Sequence, residues 1–248
     1  MILGAGDGAS AGTTGDPRPV LIVTGLVQEA RIAAGPGLTV ICSSSDPRQL
    51  RSLLAGFDPL SIRGVISFGV AGGLDPALNS GDVVVATDVM AEDSRRWRAA
   101  SALSEELIAG AGLGSLGRQR VIRGSLAGVE QVVTAQAGKA ALRLSTGASA
   151  VDMESHIAAA YAAEAKLPFA ALRVISDPAT RALPTLAASA IKANGDIDLR
   201  KILSGVARNP LSIRALYAAG RDFNRALRSL RGCRGFLLGG DSLVPADL

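Results

Sequence analysis

The chain has 248 residues, 48% of them hydrophobic and 3% aromatic, with 26 basic side chains against 22 acidic ones and a single histidine. That length fits one α/β domain with a sizeable core. The longest apolar runs are strand-sized, far short of a membrane span. Two cysteines give neither a disulfide framework nor metal-ligand spacing, one histidine rules out a His-rich metal site, and so few aromatics leave little for stacking single-stranded nucleic acid.

Residues 1–17 read as a Gly/Ala/Ser-rich tail without the basic and apolar regions of a signal peptide, so the cytoplasm is the expected location. Gly4-Ala5-Gly6-Asp7-Gly8 lacks the preceding strand that a dinucleotide loop requires. From Pro19 the pattern alternates. Strands are predicted at Val20–Thr24, Thr39–Cys42, Gly64–Phe68, Asp82–Ala86, Gln119–Arg123, Ala150–Met153 and Ala170–Ser176. Helices are predicted at Gln28–Ala34, Pro47–Leu54, Ser101–Ala109, Ala135–Leu144 and Ser155–Lys166. Strands alternating with helices make a largely parallel sheet covered on both faces, in one domain over 18–232. The last helix, 210–231, has Asn209 as N-cap, Pro210 at its first position and Gly232 at its end. Arg214, Arg221, Arg225, Arg228 and Arg231 fall on one stripe of it, opposite Leu216, Phe223, Leu227 and Leu230. That basic face is either a solvated surface or a contact for anionic lipid head groups. Residues 233–248 read as a tail.

Three motifs carry chemistry. Ser67-Phe-Gly69-Val-Ala-Gly72-Gly73 follows an apolar strand, where glycines let backbone N–H groups approach an anion such as phosphate. In Asp152-Met153-Glu154, a glutamate can accept hydrogen bonds from both hydroxyls of a ribose, and a methionine can pack on the sugar's apolar face; the same residues also suit a helix N-terminus. Ser176-Asp177 ends a strand, and a carboxyl in a semi-enclosed cleft there can serve as a general acid; Asp177-Pro178 is equally an ordinary turn starter. Carboxylates at strand ends lie where open α/β sheets bind their ligands.

Taken together, Ile66-Ser-Phe-Gly69-Val-Ala-Gly72-Gly73-Leu74, Gly81-Asp82-Val-Val-Val85, Val151-Asp-Met-Glu154 and Pro168-Phe-Ala-Ala-Leu-Arg173-Val-Ile-Ser176-Asp177 resemble the purine nucleoside phosphorylase and methylthioadenosine nucleosidase superfamily over residues 19–180. Asp152–His156, Leu126-Ala-Gly128 and Ser176–Pro184 look more narrowly like its hopanoid-associated branch, linked to removing adenine from adenosylhopane. The resemblance implies a single-domain three-layer α/β/α fold with a central mixed, mostly parallel sheet. It implies cleavage of the N-glycosidic bond of a 5′-substituted adenosine, with Asp177 assisting the leaving purine, Glu154 gripping the ribose and Met153 beneath the sugar. Gly69, Val70, Ala71, Gly72, Ser176 and Val129 join them as substrate-contacting residues. No metal or organic cofactor is implied, inorganic phosphate being the one co-substrate to consider. The implied partners are a small purine nucleoside, lipid-linked in the hopanoid branch, and further copies of the chain; nucleic acid is not among them. A lipid-linked substrate would add peripheral contact with the inner membrane face through the basic helix.

Some positions depart from the family pattern. Val70 stands where many relatives have a hydroxyl, so phosphate would rely on backbone N–H groups, on Ser67 or Ser44, or on Arg31 or Arg48. In the nucleosidase relatives a glutamate of the first loop activates water. A gap-free count sets Ala30 on that position, with Glu29 one residue before it; Glu29 facing the glycine segment would open hydrolysis, and Arg31 facing it would favour phosphorolysis. The stretch Leu126–Val129 has no aromatic residue to stack on a purine. His156 reads as a structural or supporting residue at a helix start. A soluble nucleoside such as methylthioadenosine, or a non-catalytic nucleoside- or lipid-binding role, are the competing expectations.

Overall fold

A computed structural model describes residues 16–113, 119–184, 186 and 213–237. The strands are β1 (Val20–Thr24), β2 (Leu38–Cys42), β3 (Gly64–Gly73), β4 (Val83–Ala91), β5 (Arg96–Arg98), β6 (Val121–Gly128), β7 (Ala150–Asp152) and β8 (Phe169–Asp177). The helices are α1 (Val27–Ala33), α2 (Pro47–Ala55), α3 (Ser101–Leu113), α4 (Gln136–Thr146), α5 (Ser155–Glu164) and α6 (Ile213–Gly232). All strands belong to one sheet in the order β2-β1-β3-β7-β6-β4-β5, with β8 paired to both β3 and β4. Pairings β1–β2, β1–β3, β3–β8, β4–β6 and β6–β7 are parallel, and β3–β7, β4–β5 and β4–β8 antiparallel. The sheet is therefore mixed and mostly parallel.

Period-two alternation builds the three layers. Val20, Ile22, Ile66, Phe68, Val83, Val85, Ala170, Leu172 and Val174 face α1, α3 and α6, where Ile32, Leu107, Ala226, Leu227 and Leu230 meet them. Their strand neighbours Leu21, Val23, Val65, Val84, Ala86, Ala171 and Ile175 face α2 and α5, against Leu50, Leu54, Ile157, Ala158 and Ala162. A sheet covered on both sides needs apolar residues at every position, which is why β1 is a continuous buried run. Asp46 caps α2 by accepting from the Arg48 and Gln49 amides, with Pro47 at the first position. Gly147 ends α4 at φ +70°, its amide on the Arg143 carbonyl.

Some boundaries move. β3 runs five residues past Phe68, because the Gly69–Gly73 segment pairs with β8 and then β7 instead of forming a loop. β4 and β6 likewise extend to Ala91 and Gly128, and β5 is an added edge strand. Packing continues beyond Gly232, since Cys233 and Leu237 are buried in the core. Asn209, Pro210 and the Gly4–Gly8 segment lie outside the described residues. Among the described residues no helix is long and apolar enough to cross a membrane.

Candidate active site

The carboxyl ends of β1, β2, β3, β7 and β8 converge on a cavity of about 480 Å³. Its lining includes Glu29, Ser44, Val70, Ala71, Gly72, Val129, Met153, Glu154, Ser176 and Asp177. The segment after β2 turns sharply, with Ser44 and Ser45 both at φ +56°, and the Ser45 amide donates to the Gly25 carbonyl at 2.8 Å. This ties the first two strand ends together and turns Ser44 toward the cavity.

Glu29 enters from α1. Its Oε2 accepts the Gly25 and Leu26 amides at 2.8 and 2.9 Å, and its Oε1 accepts the Val70 amide at 2.8 Å. The reach toward β3 belongs to Glu29, while Arg31 is exposed on the other side of the helix turn and Arg48 is exposed on α2; neither lines the cavity. The Val70 N–H, a backbone donor that an anion would need, is already engaged by a carboxylate.

Behind the cavity lies Arg173, fully buried in the middle of β8. Its Nε is 2.8 Å from Asp152 Oδ2 and its Nη2 is 3.5 Å from Glu154 Oε2. Nη2 also donates to Ser67 Oγ at 2.6 Å. Ser67 is buried and holds the guanidinium instead of lining the cavity. Asp152 further accepts the Glu154 and Ser155 amides at 3.0 and 2.7 Å, fixing the start of α5. Gly69 is a clearance position, not a cavity wall: a Cβ there would stand 2.7 Å from both Arg173 Nη1 and Glu29. Gly25 plays the same part for Glu154, whose Oε1 would be 2.6 Å from an added Cβ.

Three carboxylates around one guanidinium cannot all be charged cheaply in a buried site. Burial lifts Glu154 to about 7 against the opposing pull of Arg173, with Asp152 and Glu29 adding to the rise. Burial also raises Glu29, with Arg173 and the three backbone amides acting the other way.

Asp177 has a separate setting. Its Oδ2 is 2.5 Å from Lys139 Nζ and its Oδ1 is 2.6 Å from the Ser176 hydroxyl. Burial outweighs the ammonium and raises the carboxyl above its ordinary range. Lys139 is fully buried in the first turn of α4, and also meets the carbonyls of Asp177, Pro178 and Arg181 at 3.1–3.3 Å. It thus fixes the turn that follows β8.

Lys139 and Arg173 are the buried cations of this candidate site that the motifs did not single out. A charge inside the apolar strand Phe169–Ile175 was the visible signal for Arg173, since arginine is buried only with partners; Lys139 carried no comparable mark. His156 is buried off the cavity, its Nε2 3.0 Å from Glu130 Oε1. The remaining wall is apolar, made by Val132, Val133, Leu183 and, from α6, Leu216, Ala219 and Phe223. The arginines Arg214, Arg221, Arg225, Arg228 and Arg231 lie exposed on that helix.

The fold has counterparts among known proteins. The 5′-methylthioadenosine/S-adenosylhomocysteine nucleosidase of Neisseria meningitidis, in complex with methylthio-immucillin-A, superposes with a TM-score of 0.63 at 17% identity, over 89% of this chain and 96% of that one. The corresponding nucleosidase of Helicobacter pylori gives 0.62 at 17%, over 90% and 97%. The futalosine hydrolase of the same organism gives 0.61 at 16%, over 89% and 95%. No curated protein sequence matches the chain. The model of the phosphorylase superfamily matches residues 10–203, most of the sequence, and the chain belongs to that superfamily.

Proposed function

We propose that this protein hydrolyses the N-glycosidic bond of a 5′-substituted adenosine, releasing adenine. The observation that carries the reading is the convergence of Glu29, Glu154 and Asp177, from three separate elements, on one cavity beside Met153. Breaking the bond builds positive charge on the sugar and negative charge on the purine, as in glycoside hydrolysis. Asp177, its pKa raised by burial, donates a proton or hydrogen bond to the leaving base. Glu154 accepts the ribose hydroxyls, Met153 packs on the sugar, and Glu29 takes a proton from the attacking water as oxygen bonds to the anomeric carbon.

Water is favoured over phosphate by two features. Glu29 already holds the Val70 amide, and Arg31 and Arg48 are exposed away from the cavity. Phosphorolysis, through Ser44 and the remaining backbone donors, is the second reading. The structural relatives named for methylthioadenosine and futalosine hydrolysis support a nucleoside substrate.

For the 5′-substituent we favour a bulky apolar group, adenosylhopane being the reading taken from the sequence motifs. The apolar wall of Val132, Val133, Leu183, Leu216 and Phe223 supports it. On this reading the arginine stripe of α6 rests on an anionic membrane surface while the helix's inner face meets the substrate. Vesicle binding should then weaken with salt and with Arg221→Glu and Arg225→Glu; indifference to both would refute the membrane contact. Self-association is expected as well, and is read directly by light scattering.

The deciding assay compares adenine release from methylthioadenosine and from a 5′-alkyl adenosine, with and without phosphate. Release without phosphate, faster for the 5′-alkyl compound, is expected. Dependence on phosphate with formation of a ribose 1-phosphate would transfer the assignment to phosphorolysis. No release from either compound under either condition would leave a nucleoside-binding protein without catalysis.

A further inference from the structure

A second hollow of about 400 Å³ opens between β4, β5, β6 and the first turn of α3, and shares no lining residue with the carboxylate cavity. Arg96 and Arg98 of β5 and Arg123 of β6 bring three guanidinium groups to it, against the single carboxylate of Asp88. Arg96 is paired with Asp88 at 3.0 Å, and Arg123 with Glu105, which is outside the lining, at 2.6 Å. Arg98 stands across from Asp88 in the β4–β5 register and forms no ion pair among the described residues. The hollow therefore has an excess of positive charge.

Ser104 points to what fills it. This residue is 6% exposed and lines the hollow, yet its hydroxyl has no hydrogen-bond partner. Buried hydroxyls are nearly always satisfied; Asp88 Oδ2 in the same lining also lacks a hydrogen bond but is ion-paired with Arg96, which leaves the Ser104 hydroxyl as a donor free for a ligand. Ser101 at the start of α3 adds a hydroxyl to the same lining, while that of Thr87 on β4 is donated to Asp88 Oδ1 at 2.9 Å. A helix start adds unsatisfied N–H groups and partial positive charge. Val85, Ala86, Ala99 and Ile108 supply a small apolar portion.

We propose that this hollow binds a phosphate-bearing small molecule. Arg98 and Arg123 hold the phosphate, since guanidinium groups match phosphate oxygens two at a time. Ser104 and Ser101 donate hydroxyl hydrogen bonds. The volume exceeds that of a bare phosphate, so a phosphomonoester with a sugar-sized substituent fits better than inorganic phosphate alone.

The chain's single tryptophan, Trp97, lies between Arg96 and Arg98 and makes a local reporter. Inorganic phosphate and ribose 5-phosphate are titrated against its fluorescence, with sodium chloride at matched ionic strength as control. Equilibrium dialysis with labelled ligand reports binding that the fluorescence misses. Saturable binding is expected, tighter for the sugar phosphate, weakened at least tenfold by Arg98→Ala and severalfold by Ser104→Ala. Arg98 is exposed, so its variant should keep the wild-type circular dichroism and rate of adenine release. Absence of retained ligand in dialysis, a response reproduced by chloride, or binding unchanged in both Arg98→Ala and Arg123→Ala would overturn the proposal.

Discussion

The two charged clusters of the carboxylate cavity differ in stoichiometry. Asp177 has a cation of its own, Lys139, whereas Glu29, Asp152 and Glu154 share Arg173. In the one-to-one pair the ammonium opposes burial, and burial is the stronger of the two, so the Asp177 carboxyl stays above its ordinary range. The three-to-one cluster has more carboxyls than cations, and Glu29 and Glu154 within it are both raised by burial against the pull of Arg173. Both clusters are buried, and burial raises Glu29, Glu154 and Asp177 alike; the neighbouring cations decide how far each can be tuned.

The sharpest way to break the contrast is to remove the shared cation. Arg173→Met leaves Glu29, Asp152 and Glu154 uncompensated, and breaking a buried ionic cluster costs about 3–5 kcal/mol. Denaturant unfolding should register that loss; a change below about 1 kcal/mol would mean that the carboxyls simply take up protons and need no guanidinium. The next effect is catalytic. Asp177→Asn should lower kcat by about 10²–10⁴ with substrate binding largely retained, the range expected for a well-placed general acid. Equal kcat in the variant and the wild type would remove Asp177 from the reaction.

The fold was largely legible because its signals are local. β1 is a continuous apolar run bounded by Pro19 and Gly25, and it forms at the expected residues. The Gly69–Gly73 segment misled because small residues carry no strand propensity of their own; pairing with β8 and β7, distant in sequence, makes it a strand. At the site, Glu154, Asp177 and Met153 were marked by strand ends and reach the cavity. Arg31 and Arg48 fit a charge argument but lack a direction, and direction is set by helix phase: α1 turns Glu29 inward and Arg31 outward. Lys139 was hidden because only the return of the chain after β8 places three carbonyls and a carboxylate around it.

Removing the private cation tests the other half of the contrast. Lys139 lowers the Asp177 pKa against the effect of burial, so Lys139→Met should raise it further. Activity that requires protonated Asp177 falls as pH rises through that pKa. The alkaline limb of the pH–rate profile should therefore shift to higher pH, with a smaller loss of kcat than in Asp177→Asn. A limb that stays in place while kcat falls would reduce Lys139 to a support of the turn.

The mildest effect is on stability, and its sign follows from Glu154. Burial lifts this carboxyl from 4.5 to about 7, so the folded state holds its proton more tightly than the unfolded chain does. The corresponding contribution to stability is complete below pH 4.5 and is lost as pH rises through about 7. Glu154→Gln keeps the shape and the neutral form while removing the titration, and Arg173 retains Asp152. Across that window the wild type should lose stability relative to the variant, by about 1–3 kcal/mol at pH 8 compared with pH 4.5. Parallel wild-type and variant curves from thermal melts between pH 4 and 8 would show that Glu154 does not titrate in this window and would remove its contribution.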